Sequence, residues 1–239
     1  MFKHYIFTRW NLLDSKTTIY NNHPDPEVWM KHRMKIFEEY TLPSVMIQTC
    51  KNFTWLLAFA RETPKWIIEK YSSFPNVKII YGYPAEWLRM EYNSEYAKMT
   101  GRQIRDGDWI ITSRLDNDDT IAPEYIETVQ SYFNEEFLIV DTDGVKKDLR
   151  TGKEYTVERR TNNSPFLSLI EQVGKPWMSI SNDPKEKRLI EDPVKTCYWC
   201  SHTKMEWHFP SVKSPKKLYK MNLHEMNVSN KLEGNEILL

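Results

Sequence analysis

Residues 109–120 read WIITSRLDNDDT, an apolar run followed by three aspartates within four positions. The segment 109–115 predicts a buried β-strand, and the aspartates come at its carboxyl end. Three carboxylates this close repel one another unless a cation compensates them. Mg²⁺ or Mn²⁺ held by one or two carboxylates keeps positions open for substrate phosphates. The loop therefore predicts a site for a metal ion and a diphosphate.

Around this loop, strand patterns alternate with helix patterns. Strands are predicted at 4–10, 53–60, 77–81 and 109–115. Helices are predicted to start at Asp25-Pro26, Thr63-Pro64, Pro84 and Pro123, with an end or kink of the first at Pro43. Four such repeats favour a mostly parallel sheet flanked by helices. Ligands of such sheets bind outside the carboxyl ends of the strands.

The texture changes after residue 135. A strand is predicted at 137–141, and Asp143-Gly144 and Thr151-Gly152 indicate β-hairpins up to residue 159. A short helix is predicted from Ser164-Pro165 to Gln172, with late strands at 197–205 and 218–223. No linker separates this part, so one domain over 1–239 is expected, with a hairpin elaboration in its C-terminal half.

The composition excludes several classes of protein. The 239 residues carry 33 basic and 33 acidic side chains, a zero net charge that disfavours nucleic acid as a partner. The sequence lacks both glycine-rich phosphate loops. Three cysteines are too few for a disulfide framework, and no apolar run approaches the ~20 residues that span a bilayer. We expect a soluble, cytoplasmic protein, with peripheral membrane contact through exposed Trp and Lys left open.

Several other interpretations of the aspartate loop stay open. It could be a turn that caps the helix near Pro123, with Asp119 or Thr120 as N-cap. Residues 116–120 also match the Asp-x-Asp-x-Thr motif of haloacid-dehalogenase-like phosphatases, with Asp116 as nucleophile and Asp118 as acid/base. That family carries the motif on its first strand, whereas three strand–helix units precede it here. A non-catalytic carbohydrate- or metal-binding module is a further alternative.

Two other metal sites fit poorly. A calcium-binding EF-hand loop starting at Asp116 would need glycine where Ile121 stands. The segment Cys197-x-x-Cys200-x-His202, with His208 beyond it, has a zinc-like cysteine pair, but the histidine follows too closely for the usual tetrahedral site. Two core cysteines are the favoured interpretation.

Several segments together resemble the putative rhamnosyltransferase family, whose members are similar to inverting glycosyltransferases of the GT-A type. The segments are 7–11 (FTRWN), 42–44 (LPS), 48–49 (QT), 52–55 (NFTW), 113–119 (SRLDNDD) and 224–230 (HEMNVSN). Their order and spacing cover most of the chain. The resemblance implies a single-domain, GT-A-like and Rossmann-related α/β fold, with a nucleotide-sugar-binding half at 1–134 and an acceptor- and metal-completing half at 135–239.

The resemblance also implies roles for individual residues. Asp118 and His224 would ligate Mn²⁺ or Mg²⁺. The implied donor-binding residues are Thr8, Arg9, Asn11, Arg114, Asp116 and Asn227. Arg9 and Arg114 stand at the ends of predicted strands, where a guanidinium can bind phosphate or sugar oxygens in a fork. Each could equally form a structural ion pair with the aspartates.

The implied reaction moves a sugar, rhamnose by the family's name, from a dTDP- or UDP-sugar donor to a hydroxyl of a saccharide or glycan. Inversion by a single displacement requires a carboxylate that takes the proton from the acceptor hydroxyl. Glu171 is the favoured base because an apolar segment precedes it, and Asp192, next to Glu191, is the second choice.

Overall fold

The structure is a computed structural model of the chain. It describes residues 1–12, 17–82, 87–88, 90, 104–142, 144–148, 153–157, 167–174, 177–179, 188–190, 211–213 and 220–224. Among the helices in these ranges, none is both long enough and apolar enough to cross a membrane.

The elements follow the alternation that the sequence predicts. The strands are β1 (Phe2–Arg9), β2 (Thr54–Phe59), β3 (Val77–Tyr81), β4 (Trp109–Arg114), β5 (Asp119–Thr120), β6 (Leu138–Asp141), β7 (Gly144–Asp148), β8 (Glu154–Val157), β9 (Leu167–Gln172), β10 (Trp177–Ser179), β11 (Arg188–Ile190), β12 (Ser211–Lys213) and β13 (Lys220–His224). The helices are α1 (Ile19–Asn22), α2 (Pro26–Ile36), a π-helical turn (Phe37–Thr41), α3 (Leu42–Met46), α4 (Lys65–Ser72) and α5 (Tyr125–Ser131).

The main sheet has seven strands in the order β12-β6-β9-β4-β1-β2-β3. Strands β1 to β4 are parallel, and β9 lies antiparallel between β4 and β6. The chain passes outward from β1 to β3 and then returns to place β4 on the other side of β1. Open sheets form their ligand crevice where the strand order reverses in this way, which here is at the carboxyl ends of β1 and β4.

Both faces of this sheet are covered, as expected for strands that read as continuous apolar runs. One core contains side chains from α2, α3, α4 and α5 packed on residues such as Trp55 and Ile111. The second core lies on the opposite face and includes Phe7, Leu56 and Ile110. Neighbouring residues of one strand thus belong to different cores, which fixes the register of the strands.

A long helical segment packs beside the crevice. Asp25 caps α2, because its Oδ1 accepts a hydrogen bond from the Val28 N–H at 3.0 Å. The sequence left open whether the helix ends or kinks at Pro43, and the structure shows that the helical segment does not end there. Proline has no N–H to donate to the Glu39 carbonyl, and the chain widens into a π-helical turn in which the Leu42 N–H bonds to the Phe37 carbonyl. The helix then continues as α3.

A second sheet joins the C-terminal half to the aspartate loop. Its order is β5-β13-β7-β8, with β7 and β8 forming an antiparallel hairpin. Strand β13 pairs antiparallel with β5 through Met221 opposite Thr120 and Asn222 opposite Asp119. The hairpin elaboration predicted after residue 143 is therefore confirmed, and so is the α/β class with a mostly parallel sheet.

Two predictions were wrong. Residues 167–172 form β9 instead of a helix, because the run packs its side chains on both faces of the sheet, and a short apolar run does not distinguish strand from helix. Neither Asp119 nor Thr120 caps a helix. They form β5, and α5 begins after Glu124. The predicted helix at 84–99, apart from residues 87, 88 and 90, and the predicted strand at 197–205 lie outside the described residues.

Candidate functional site

Arg114 and Asp116 form a two-point contact just beyond the end of β4. Arg114 Nε donates to Asp116 Oδ1 at 3.1 Å, and its Nη2 donates to Oδ2 at 2.7 Å. Arg9, at the end of the adjacent β1, brings its Nη2 to 4.0 Å from the same Oδ1. The crevice between β1 and β4 thus holds two guanidinium groups around one carboxylate, the ion-pair arrangement that the sequence left open.

Asp118 has a different cationic partner, which the sequence analysis did not identify. Arg33 of α2 forms an ion pair from Nη1 to Asp118 Oδ2, and the same nitrogen lies 3.5 Å from Asn117 Oδ1. The Arg33 guanidinium also sits over the Trp29 ring, 5.4 Å from its centroid. About a quarter of each side chain of the Arg33–Asp118 pair is exposed, so solutes can reach both.

The backbone between these carboxylates is held firmly. The Asn117 side chain donates from Nδ2 to the Trp10 carbonyl, which follows β1. Thr41, in the π-helical turn, donates from Oγ1 to the Asn117 carbonyl at 3.1 Å. The aspartate loop forms a turn in which the Asp119 N–H donates to the Asp116 carbonyl at 3.1 Å. The aspartates therefore project from a preorganised loop.

Residues of the 42–44 and 48–49 segments support the far side of this loop. Ser44 donates to the Thr41 carbonyl at 2.7 Å and accepts from the Ile121 N–H at 3.3 Å. Gln48 donates to the Ala122 carbonyl at 2.7 Å and accepts from the Ile126 N–H at 3.0 Å. These family-like segments thus act here as supports that tie the helical segment to the loop and to α5.

His224 ends β13, the strand that runs beside the loop. Because β13 is antiparallel to β5 and Asn222 is opposite Asp119, the chain of β13 continues from there toward the level of Asn117 and Asp118. His224 lies two residues beyond Asn222, which pairs with Asp119, and its own backbone partner is Asp148 of β7. The metal-ligating role of His224 stays a prediction.

Thr8 and Asn11 lie beneath the crevice. Both are almost completely buried, and the Thr8 hydroxyl accepts a hydrogen bond from Trp55 Nε1 at 2.9 Å. Asn11 accepts from the Ala60 N–H and donates to Thr63 Oγ1, both at 2.8 Å. Their described contacts join the end of β1 to β2 and the loop after it. Donor binding by either residue stays a prediction.

The general-base candidates separate in the structure. Glu171 is buried in β9 opposite Ile110, near the amino end of β4. Four strand residues, about 13 Å, separate that level from Arg114 at the carboxyl end. This register argues against Glu171 as the base. Asp192 and Asn227 lie outside the described residues, as do Glu191 and the Cys197–His208 group.

A carboxylate that the sequence analysis did not select stands at the correct edge. Asp141 ends β6 and pairs with Leu167 of β9, while the next β9 residue, Ser168, pairs with Ser113. Asp141 is therefore level with Arg114, with β9 between them. It closes an apolar strand, the same signal that singled out the aspartate loop.

The donor chemistry of this loop suits a hard divalent cation. The side chains of Asp116 and Asp118 are each about a quarter exposed, and such ions are commonly held by one or two carboxylates plus substrate phosphates. Within the ranges that the structure describes, no three His, Cys, Asp or Glu side chains form a complete metal cluster. Binding of Mn²⁺ or Mg²⁺ stays a prediction.

A buried polar chain lies under the loop. Gln130 Nε2 donates to His4 Nδ1 at 3.2 Å, which leaves Nε2 of His4 to donate to Ser113 Oγ at 2.9 Å. Ser113 in turn contacts Ser168 Oγ at 2.6 Å. Burial lowers the pKa of His4 to about 3, so the ring is neutral at physiological pH.

The chain matches the family described as "Putative rhamnosyl transferase" over residues 20–236, which is most of its length. The chain belongs to this family. The predicted resemblance to this family is thereby confirmed. No match to this rhamnosyl transferase family member was found among curated proteins.

Solved structures similar to this family member are distant. S. aureus TarS 1-349 shares 16% identity and a TM-score of 0.36, covering 76% of this chain and 42% of the TarS chain. Its complex with UDP shares 16% identity and a TM-score of 0.31, covering 61% and 36%. HddC from Yersinia pseudotuberculosis shares 10% identity and a TM-score of 0.32, covering 94% and 91%. The present chain spans less than half of these TarS chains, and the assignment depends on the family match.

Proposed function

We propose that this chain is a glycosyltransferase that moves a sugar, rhamnose by its family's description, from a nucleoside diphosphate donor to a saccharide hydroxyl with inversion. The observation that carries this proposal is the cluster of Arg9, Arg114 and the aspartate loop in the crevice between β1 and β4. Planar guanidinium groups bind diphosphate oxygens in forks, and this edge of an open sheet is where such ligands bind.

The arginines supply the main catalytic effect. Breaking the bond between the anomeric carbon and the diphosphate oxygen leaves an additional negative charge on the departing nucleotide. Arg9 and Arg114, which are fixed at strand ends and mostly buried, stabilise this charge more in the transition state than in the ground state. Mn²⁺ or Mg²⁺, when held by Asp118 and His224, would add Lewis-acid stabilisation of the same oxygens.

Asp141 is the base that best fits the sheet. In a single displacement, the acceptor oxygen bonds to the anomeric carbon while its proton passes to a carboxylate. Asp141 lies at the same edge of the sheet as Arg114, but strand β9 stands between the strands that carry them. The two residues are therefore about 10 Å apart across the sheet.

The test is a panel of nucleotide sugars, including dTDP-rhamnose and UDP sugars, with manganese and a thermal-shift readout. Slow donor hydrolysis and stabilisation by the matching nucleoside diphosphate are expected. Hydrolysis of phosphomonoesters through an aspartyl phosphate at Asp116 would instead indicate the phosphatase. No response to any nucleotide would leave a binding module. Asp106→Asn is the matched control for loop variants, because Asp106 is an exposed aspartate before β4, at the opposite end of the strand.

A further inference from the structure

Arg33 contacts the aspartate loop in a way that differs from Arg114. Arg114 uses two nitrogens against both oxygens of Asp116, whereas both recorded contacts of Arg33 with the loop use Nη1. A contact through one nitrogen at a partly exposed position is worth little to stability, typically below about 1 kcal/mol. The Arg33–Asp118 pair is therefore easily exchanged for another partner.

The surroundings of Arg33 suit such an exchange. Its guanidinium lies over the flat face of Trp29, a surface that stabilises the cation without fixing its direction. The helix that carries it is fixed, since the continuing π-helical turn binds the loop through Thr41. The side chain can therefore turn while its backbone stays in place beside the crevice.

We propose that Arg33 is a diphosphate-binding residue that stays paired with Asp118 until the donor binds. This inference rests on the proposed function. When a donor binds, Arg33 leaves Asp118 for a diphosphate oxygen, and the freed Asp118 carboxylate becomes available to a divalent cation. Arg33 thus competes with the cation for Asp118 in the empty site and joins Arg9 and Arg114 on the diphosphate in the filled one.

Charge balance supports this exchange. In the empty site, three arginines, Arg9, Arg33 and Arg114, lie beside a loop with three aspartates, two of which pair with them directly. Adding a divalent cation alone would crowd positive charge around the loop. Adding it together with the diphosphate of a donor, which carries two negative charges, leaves the total charge unchanged. The surrounding cations then stabilise the extra negative charge that the departing nucleotide gains. Cation and nucleotide should accordingly bind with positive cooperativity.

The test measures binding by calorimetry for the full chain, Arg33→Gln and Arg33→Lys, with Arg61→Gln as control because Arg61 is an exposed arginine in the turn after β2. The probes are UDP, dTDP, uridine, thymidine and Mn²⁺ alone. Arg33→Gln should weaken binding of the recognised nucleoside diphosphate about tenfold or more and leave its nucleoside unchanged, because only the diphosphate contacts Arg33. It should also tighten Mn²⁺ binding in the absence of nucleotide, since Asp118 loses its competitor.

Other outcomes would contradict either the inference alone or the proposed function together with it. A merely structural Arg33 would weaken nucleoside and nucleotide binding equally, or lower the unfolding temperature without affecting affinity. Either result, or Mn²⁺ binding that weakens in Arg33→Gln, overturns the inference while leaving the proposed function intact. If the unaltered chain binds neither UDP nor dTDP, the proposed function fails, and the inference fails with it.

Discussion

Arg114 holds Asp116 in a planar fork, with Nε to Oδ1 at 3.1 Å and Nη2 to Oδ2 at 2.7 Å, just past the last residue of β4. Both oxygens of the carboxylate are used. The fork keeps the guanidinium plane fixed in the crevice between β1 and β4, so Arg114 is preorganised before any ligand arrives.

Replacing Arg114 by lysine tests this geometry. Arg114→Lys keeps the positive charge but removes the fork, so we expect donor kcat/KM to fall about tenfold or more. Urea unfolding should show a loss of about 1 kcal/mol. If activity is lost only in Arg114→Met and kept in Arg114→Lys, the charge alone matters and the fork is dispensable.

Asp118→Asn should abolish metal-dependent donor turnover, with a loss of about a hundredfold or more. The fold should survive, because one of three crowded anions is removed and the partly exposed ion pair to Arg33 contributes little. Turnover at saturating Mn²⁺ and the circular dichroism melt measure the two effects. Wild-type turnover in this variant would remove Asp118 from the metal site, and Asp106→Asn should behave as wild type.

Thr8→Val separates a core role from a donor-binding role. The variant deprives the buried Trp55 Nε1–H of its acceptor, so the free energy of unfolding should fall by about 1–3 kcal/mol. The KM for donor should change less than about twofold, because Thr8 is buried and its hydroxyl is bonded to Trp55 instead of to the donor. A twofold change corresponds to less free energy than one hydrogen bond contributes. Thr8→Ser should restore stability. A large rise in KM with normal stability would place Thr8 on the donor.

The position of the base can be tested with two carboxylates. Asp141→Asn should reduce transfer by about a hundredfold or more while keeping nucleoside diphosphate affinity. Glu171→Gln should keep the transfer rate, because Glu171 is paired opposite Ile110 at the far end of β4. The converse result would return the base to Glu171 and would mean that the acceptor approaches from the amino edge of the sheet.

His4 makes stability depend on pH. Burial lowers its pKa to about 3, from 6.5 in an exposed ring. Between these two pH values, His4 is therefore protonated in the unfolded chain and neutral in the folded one. Stability should be complete above pH 6.5 and fall as the pH drops toward 3, by at most about 1.4 kcal/mol per pH unit. His4→Gln should flatten the slope in urea unfolding between pH 4 and 6.5. An unchanged slope would assign it to other groups.

The sequence predicted the local elements well, because their signals are local. The pair Asp25-Pro26 marks the start of α2, and apolar runs mark β1 to β4. The run at 167–172 was misread, since its position between β4 and β6 follows from pairing with distant strands and not from its own pattern.

Site residues show the same division. Strand-end placement put Arg9, Arg114 and Asp116 at one edge of the sheet, because parallel strands bring their carboxyl ends together, and it left open whether the arginines pair with the aspartate. Nothing local in residues 26–36 indicated that Arg33 would contact Asp118. A charged residue on an amphipathic helix is ordinarily a solvated one.

By itself, the sequence determined the alternation of strands and helices and the acidic loop at a strand end, because hydrophobic periodicity and chain punctuation act over a few residues. Only the tertiary structure decided which cation each aspartate takes, where Glu171 and Asp141 stand along the sheet, and that β13 returns beside the loop. Those relationships depend on strand pairing and helix packing between residues far apart in the chain, and such contacts form only when the core forms.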